Sequence, residues 1–222
     1  MNRKPWKSYV MSAVLTAGSM LLAGYSQAEG VITVGDFGLI DHQGVQHQLT
    51  RLGDNKAIVL ITESTRCPES IDSLPRYKLL RTMWQKQGIK ILLLNSSTED
   101  NMQTVRTQAQ TYDIDFPILM DETQLVAESL GVTKAGEVLV IDPNTKQLLF
   151  HGPLDRQAFG GGDDGEPRPA AARKPASTPL ADVLGKVVAG NYQPTSTVTA
   201  EVTKGCAINF ATKGAQAKSV PD

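Results

Sequence analysis

The sequence has few cysteines, few aromatic residues and almost no charge imbalance. Two Cys occur in 222 residues, Phe, Trp and Tyr make up 5%, and 22 Lys and Arg face 23 Asp and Glu. Two cysteines exclude a Cys-rich zinc site and a disulfide-stapled miniprotein, and leave one disulfide or one redox pair. A net charge of −1, with no Lys/Arg run in the body of the chain, excludes the basic surface of a nucleic-acid-binding protein. What remains is the composition of a soluble globular protein of about one domain.

The N-terminus has the pattern of a secretory signal. Three basic residues precede an apolar stretch at 10–22 and a small-x-small site at Ser26-Gln27-Ala28. We expect residues 1–28 to be cleaved and the mature protein to be periplasmic or secreted. The alternative, a permanent anchor, needs about 20 predominantly apolar residues, and this stretch is shorter and contains Ser and Thr. Export would place both cysteines in an oxidising compartment, where a disulfide persists.

Hydrophobic patterning predicts a mixed α/β sheet with helices on its faces. The clearest strand is 57–62, a continuous apolar run typical of a strand buried on both sides. The predicted extended segments are 31–34, 37–40, 45–49, 57–62, 89–94, 116–119, 138–141 and 147–150. The predicted helices are 68–87, 97–112, 122–130 and 179–189.

Two segments lack apolar periodicity. A Gly-, Pro- and Ala-rich stretch at 159–178 predicts a flexible loop that interrupts a domain core at 29–158. The helix at 179–190 would complete the domain, and residues 191–222 form a polar tail that carries Cys206.

Cys67 lies directly after the predicted strand 57–62 and at the start of the predicted helix 68–87. Unpaired N–H groups and the helix dipole favour a thiolate at such a position, Arg66 adds a neighbouring positive charge, and Pro68 suits the first helical turn. We therefore expect a reactive cysteine; the alternative is an inert cysteine packed in the core. Glu69, two residues on, would stabilise the helix start or accept protons.

At this point the chain resembles the thioredoxin-like superfamily, and within it the exported redoxin or peroxiredoxin-like (AhpC/TSA-type) branch. The resemblance covers about residues 31–184 and includes Ser64, three residues before Cys67. It is carried by the segments 57–62, Cys67-Pro68, 89–94, 115–121 and 136–142. It implies a thioredoxin fold with an N-terminal hairpin, in which the Cys at this position attacks peroxides or disulfides. The implied partners are a thiol reductant, a disulfide-containing protein or a peroxide; no cofactor is implied.

The second cysteine of a thioredoxin Cys-x-x-Cys is Ser70 here, so no disulfide closes within the motif. Cys206 is the remaining thiol. It would resolve a sulfenic acid or mixed disulfide on Cys67, or form a purely structural disulfide with it. The catalytic candidates are therefore Cys67, Cys206, Arg66 and Ser64.

Two other classes of function stay open. A copper-handling protein would use Cys67, Cys206 and His151 as soft ligands, although His151, like the other His residues, is expected at the surface or in a turn. A redox-inactive binding module would use the loop at 160–177 as its contact.

Overall fold

The computed structural model describes residues 30–154 and 178–211. The predicted signal at 1–28 and most of the predicted loop at 159–178 lie outside these residues. Within the described ranges, no helix is both long and apolar enough to cross a bilayer.

The described residues form nine strands and four α-helices. The strands are β1 (Ile32–Thr33), β2 (Gly38–Asp41), β3 (Gln46–Gln48), β4 (Ala57–Glu63), β5 (Ile89–Asn95), β6 (Ile118–Met120), β7 (Glu137–Ile141), β8 (Gln147–Pro153) and β9 (Val198–Thr199). The helices are α1 (Pro68–Trp84), α2 (Met102–Thr111), α3 (Leu125–Leu130) and α4 (Pro179–Val188). Short 3-10 turns cover Leu49–Leu52 and Gln85–Gln87.

All nine strands belong to one mixed sheet. Its order is β1-β8-β7-β4-β5-β6-β2-β3, with β9 alongside β8. Strand β4 pairs in parallel with β5 and antiparallel with β7. Every residue of β4 is buried, which confirms the interpretation of its continuous apolar run as a strand covered on both faces.

Alternate residues of the central strands divide the core into two clusters. One face packs against α1, α2 and α4, and the other against α3 and the turn at Leu49–Leu52. The carboxyl ends of the parallel strands β4 and β5 meet at one edge of this packed sheet, and Cys67 follows the first of them.

Two helices begin later than the sequence predicts. Helix α2 starts at Met102, because the Asn101 side chain accepts the N–H groups of Gln103 and Thr104 and completes a capping box with Thr104. The predicted start at 97 was wrong. Helix α3 starts at Leu125 rather than 122, and the Asp121 carboxylate accepts two N–H groups of its first turn.

The polar tail predicted after α4 packs on the domain as far as residue 211. Strand β9 pairs with Phe150 and His151 of β8, and Ala207 forms a bridge with Lys134. This pairing was not predicted, because it depends on main-chain hydrogen bonds and not on an apolar pattern.

Candidate functional site

Cys67 occupies the junction between the sheet and α1. Its extended backbone makes it the N-terminal cap residue of α1, and Pro68 follows in the first turn. Because proline lacks an N–H group, it costs α1 no hydrogen bond there. The predicted position of Cys67 at the head of a helix is thus what the structure shows.

Cys67 and Cys206 form a disulfide across 139 residues of chain, with their Cα atoms 5.8 Å apart. Cys67 is buried, 1% exposed. The main-chain N–H of Cys206 donates to the Cys67 sulfur at 3.2 Å. When the bond is reduced, that N–H group is a ready partner for a Cys67 thiolate.

The carboxylate of Glu69 lies beside both sulfurs. Its Oε2 is 3.3 Å from Cys67 Sγ and 3.4 Å from Cys206 Sγ. Each S–H of the reduced pair can therefore donate to the same oxygen. Glu69 therefore lies where it can accept a proton from either thiol, which is one of the two roles expected from the sequence.

The disulfide borders a cleft of about 190 Å³. The cleft is lined by the β4–α1 loop, by residues 97–99 after β5, by Ala135 and by residues 206–209 of the tail. All four predicted site residues belong to this region: Cys67, Cys206 and Arg66 line the cleft together with Ser64.

The side chains of Arg66 and Ser64 hydrogen-bond to acidic residues, Glu99 and Asp100, rather than to either sulfur. The Arg66 guanidinium pairs with Glu99 at 3.3 Å, and both side chains are more than half exposed. Ser64 Oγ donates to Asp100 Oδ2 at 3.3 Å. The activating role of Arg66 stays a prediction.

Asp100 anchors the loop that leads into Cys67. Its carboxylate accepts the Thr65 N–H at 2.9 Å, the hydroxyls of Thr65 and Ser64, and the Asn95 amide at 2.8 Å. Because these donors are two consecutive residues of the β4–α1 loop and the last residue of β5, Asp100 holds in place the loop that leads into Cys67.

Glu63, the last residue of β4, is a buried acid on the wall of the cleft. Its Oε1 accepts from Asn95 at 2.9 Å, and its Oε2 has no hydrogen-bond partner among the described residues. The pKa of Glu63 is raised to about 7, mainly by burial and also by the charge of Asp100, whereas the amides of Asn95 and Gln108 act to lower it. Near neutral pH this carboxyl can therefore both give and take a proton.

A second buried acid supports the loop opposite Cys67. Glu137 Oε1 accepts from the N–H groups of Thr133 and Lys134 and from the Thr133 hydroxyl. Its Oε2 lies 2.5 Å from His151 Nε2. Although Glu137 is desolvated by burial, these hydrogen bonds hold its pKa below the usual range.

The group of possible metal ligands around the disulfide consists of Cys67, Glu69 and Cys206. His151, which the copper hypothesis requires, lies on β8 and is instead hydrogen-bonded to Glu137 of β7. Among the described residues, the structure does not bring His151 into the ligand group at the two sulfurs.

Sequence reasoning missed Glu63, Asp100 and Glu137 as residues of the site. A sequence signal existed for Glu63, since a charged residue ends an otherwise apolar strand directly before the cysteine loop. Asp100 and Glu137 gave no such signal, because their roles depend on which loops the fold brings to them.

The chain is a member of a thiol-redox family. The model of the AhpC/TSA family matches residues 33–147, about half of the sequence, so the chain belongs to the AhpC/TSA family. It is 28% identical over 150 residues to the thiol-disulfide oxidoreductase ResA of Geobacillus thermodenitrificans, a match that covers 65% of this chain and 84% of that protein.

Solved structures show the same fold. A hypothetical protein of Sinorhizobium meliloti 1021 superposes with a TM-score of 0.60 at 25% identity, covering 83% of this chain and 96% of the other. An uncharacterized conserved protein of Geobacillus kaustophilus gives a TM-score of 0.62 at 19% identity, covering 82% and 92%. The predicted thioredoxin-like fold is confirmed.

Proposed function

We propose that this chain is a thiol-disulfide oxidoreductase that cycles between the Cys67–Cys206 disulfide and the reduced dithiol. The observation that carries the proposal is the disulfide itself, formed at a helix start beside a cleft. Similarity to ResA proteins, whose name states this activity, supports it.

The reaction of the dithiol form is written in two exchanges. The Cys67 thiolate attacks one sulfur of a partner disulfide, and the other partner sulfur leaves with the bonding electron pair as a thiolate. Cys206 then attacks Cys67 Sγ, releases the second partner thiolate and forms the Cys67–Cys206 disulfide. The partner disulfide is reduced and the protein dithiol is oxidised; an external thiol reductant restores the dithiol.

The residues around the sulfurs have separate roles in these exchanges. The helix start and the Cys206 N–H stabilise the Cys67 thiolate. Glu69 accepts the proton that Cys206 loses before its attack. Glu63, with its pKa near neutrality, holds a proton at the wall of the cleft.

Two variants and one equilibrium test the proposal. The mature protein is equilibrated in glutathione buffers of graded potential, alkylated and weighed by mass spectrometry. A midpoint near or above about −230 mV is expected for a bond that turns over, whereas a midpoint below about −300 mV would identify a structural staple and overturn the proposal.

The variants assign the two thiols. Cys206→Ser should accumulate a mixed disulfide between Cys67 and glutathione, because nothing resolves it. Cys67→Ser should form no such adduct at Cys206 at a comparable rate. If Cys67→Ser retains thiol-dependent turnover, Cys67 is not the nucleophile.

Membership of the AhpC/TSA family favours peroxide reduction as a second candidate. Here the Cys67 thiolate attacks one oxygen of a peroxide, the O–O bond breaks, water or an alcohol leaves, and Cys67 becomes a sulfenic acid. The Cys206 thiol then attacks Cys67 Sγ, which gives the disulfide and releases water. Hydrogen peroxide added to the reduced Cys206→Ser variant should then trap sulfenic acid at Cys67. If oxidation of Cys67 is no faster than that of free cysteine, this candidate fails.

We also propose that the protein is exported to the periplasm or secreted, on the strength of the N-terminal pattern. The mass of the protein recovered from the exported fraction should correspond to a chain that begins at Glu29.

A further inference from the structure

The tail is held beside Cys67 by main-chain contacts. Ala135 N–H donates to the carbonyl of Cys206 at 2.9 Å, and Ile208 N–H donates to the carbonyl of Thr133 at 2.7 Å. With the Lys134–Ala207 bridge, these bonds make a short antiparallel pairing. Main-chain pairing of this kind accepts an extended peptide largely regardless of its side chains.

Gln124 continues the pairing beyond the bridge. Its Nε2 donates to the carbonyl of Asn209 at 2.9 Å, and its Oε1 accepts the N–H of Ala211 at 2.7 Å. A further bond from Nε2 to the Ser96 carbonyl orients the amide. Gln124 has a left-handed backbone, φ 59°, and is buried at 4% exposure. The side-chain amide of Gln124 thus hydrogen-bonds both a carbonyl and an N–H group of the tail.

Two positions of the tail are restricted by the surface beneath them. A Cβ on Gly205 would lie 1.9 Å from the Ala135 carbonyl oxygen, and Gly205 has φ +114°, so only glycine fits before the cysteine. Ile208 is half-buried against the core cluster on the α3 face. The side chains of Ala207, Asn209 and Phe210 are exposed.

We propose that this surface, formed by Thr133–Ala135 and Gln124, is a binding groove for an extended segment of another polypeptide that carries Gly-Cys-x-aliphatic. The tail of this chain is its resident competitor. The inference rests on the proposed function and names its substrate class. The partner cysteine forms the mixed disulfide with Cys67 while the partner backbone takes the place of the tail.

Because the tail and the partner segment compete for the same surface, the return of Cys206 to Cys67 has two effects. When Cys206 attacks the mixed disulfide, its sulfur replaces the partner sulfur on Cys67. At the same time residues 206–211 regain the hydrogen bonds to Ala135, Thr133 and Gln124 that the partner segment held. Chemical resolution and release of the partner are thus coupled.

The test uses the full-length Cys206→Ser protein and synthetic peptide disulfides. The first probe is the symmetrical disulfide of the capped octapeptide Lys-Gly-Cys-Ala-Ile-Asn-Phe-Ala. The Cys67 thiolate attacks one peptide sulfur, the mixed disulfide forms and one peptide thiolate leaves. The equilibrium fraction of mixed disulfide is measured by mass and compared with that given by oxidised glutathione.

Three altered octapeptides locate the recognition. Replacing the glycine by alanine, or methylating the isoleucine nitrogen, should lower the exchange constant by about tenfold, as expected when a main-chain hydrogen bond is lost or a close contact is forced. The matched control methylates the nitrogen of the alanine after cysteine, whose counterpart at Ala207 donates no main-chain hydrogen bond among the described residues. This control should exchange as the parent does.

Gln124→Asn shortens the side chain whose amide hydrogen-bonds residues 209 and 211, while keeping a residue type that tolerates the left-handed backbone. It should weaken exchange with the octapeptide severalfold and leave the truncated Gly-Cys-Ala-Ile peptide unaffected. Gln110→Asn, an exposed glutamine on α2, is the control and should change neither.

The outcomes separate the two proposals. If all peptides and glutathione exchange with Cys67 to the same extent, the proposed peptide-binding groove is refuted, whereas the oxidoreductase proposal stands. If neither the peptides nor glutathione form a mixed disulfide, the proposed function fails. If Gln124→Asn leaves the preference for the parent octapeptide unchanged, the Gln124 amide does not bind the peptide backbone and that part of the proposal is refuted.

Discussion

At the scale of single residues, the site depends on two buried carboxyl groups in opposite electrostatic situations. Glu137 is surrounded by donors, and its pKa is lowered. Glu63 has an acidic neighbour and one oxygen that finds no hydrogen-bond partner in the described part of the chain, and its pKa is raised to about 7, mainly by burial. Two similarly buried acids therefore have opposite pKa shifts, so Glu137 ionises at lower pH than usual and Glu63 titrates near neutrality.

Glu63 should make the protein less stable as the pH rises. Between the ordinary pKa of 4.5 and the folded value near 7, the folded state keeps a proton that the unfolded state releases, so stability is lost across that interval and is constant above it. The loss amounts to about 3 kcal/mol. Glu63→Gln keeps an acceptor for Asn95 and should abolish this part of the pH dependence.

The measurement is the free energy of unfolding of the oxidised protein in urea at pH 4 and pH 8. The difference between wild type and Glu63→Gln should change between these pH values, whereas that between wild type and Glu122→Gln, an exposed control, should not. Parallel pH profiles for wild type and Glu63→Gln would show that Glu63 has an ordinary pKa.

At the scale of elements, the loop between β4 and α1 is positioned by a residue outside both. Asp100 precedes α2, yet it accepts hydrogen bonds from Ser64 and Thr65. Its contacts also tie that loop to Asn95 at the end of β5. A single carboxylate thus holds the loop after β4 against the end of β5.

Asp100→Ala should destabilise the protein by about 2–4 kcal/mol, because one buried and three partly buried hydrogen bonds lose their acceptor. The Cys67 loop should loosen as well, which would change the rate at which reduced Cys67 is alkylated. Asp72→Ala, an exposed change on α1, should alter stability by no more than about 0.5 kcal/mol. Equal effects of the two changes would contradict the anchoring role of Asp100.

At the scale of the whole molecule, the disulfide joins the tail to the domain across 139 residues. Cross-linking so distant a pair removes many conformations from the unfolded chain, an effect of about 5 kcal/mol in the chain-entropy model. The packing of β9 against β8 and the pairing of residues 206–208 hold the same tail non-covalently.

Reduction should therefore lower the free energy of unfolding by up to about 5 kcal/mol. Urea unfolding with and without a phosphine reductant measures the loss, and Cys206→Ser should match the reduced wild type without responding to the reductant. An unchanged free energy of unfolding on reduction would show that the disulfide adds nothing to the stability of the protein.

Gly205→Ala should make the disulfide easier to reduce. The new Cβ would meet the Ala135 carbonyl at 1.9 Å, so the tail must move away, and the midpoint in glutathione buffers should become less negative by at least about 30 mV, or 1.4 kcal/mol. Gly185→Ala is the matched control, since its Cβ would meet open space. Identical midpoints for both variants would mean that the tail does not need this close approach.

Much of the fold followed from local patterns in the sequence. The apolar run of β4 and the start of α4 at Pro179 are confirmed. The helix predicted over 68–87 is α-helical only to Trp84 and ends in a 3-10 turn at Gln85–Gln87. The start of α2 was not predictable with the same ease, because Ser97, Thr98 and Asn101 are all good cap residues. Only the capping box with Thr104 selects Asn101.

By itself the sequence determined that Cys67 follows a buried strand and begins a helix, since both features depend on neighbours in the chain. Only the tertiary structure decided that Cys206 reaches Cys67. It also decided that Asp100, Gln124 and Glu137 hydrogen-bond the loops and the tail that flank the pair, and that Glu63 lines the cleft. The physical reason is that main-chain pairing and buried hydrogen bonds between distant segments leave no periodic mark in the sequence, whereas helix caps and apolar runs do.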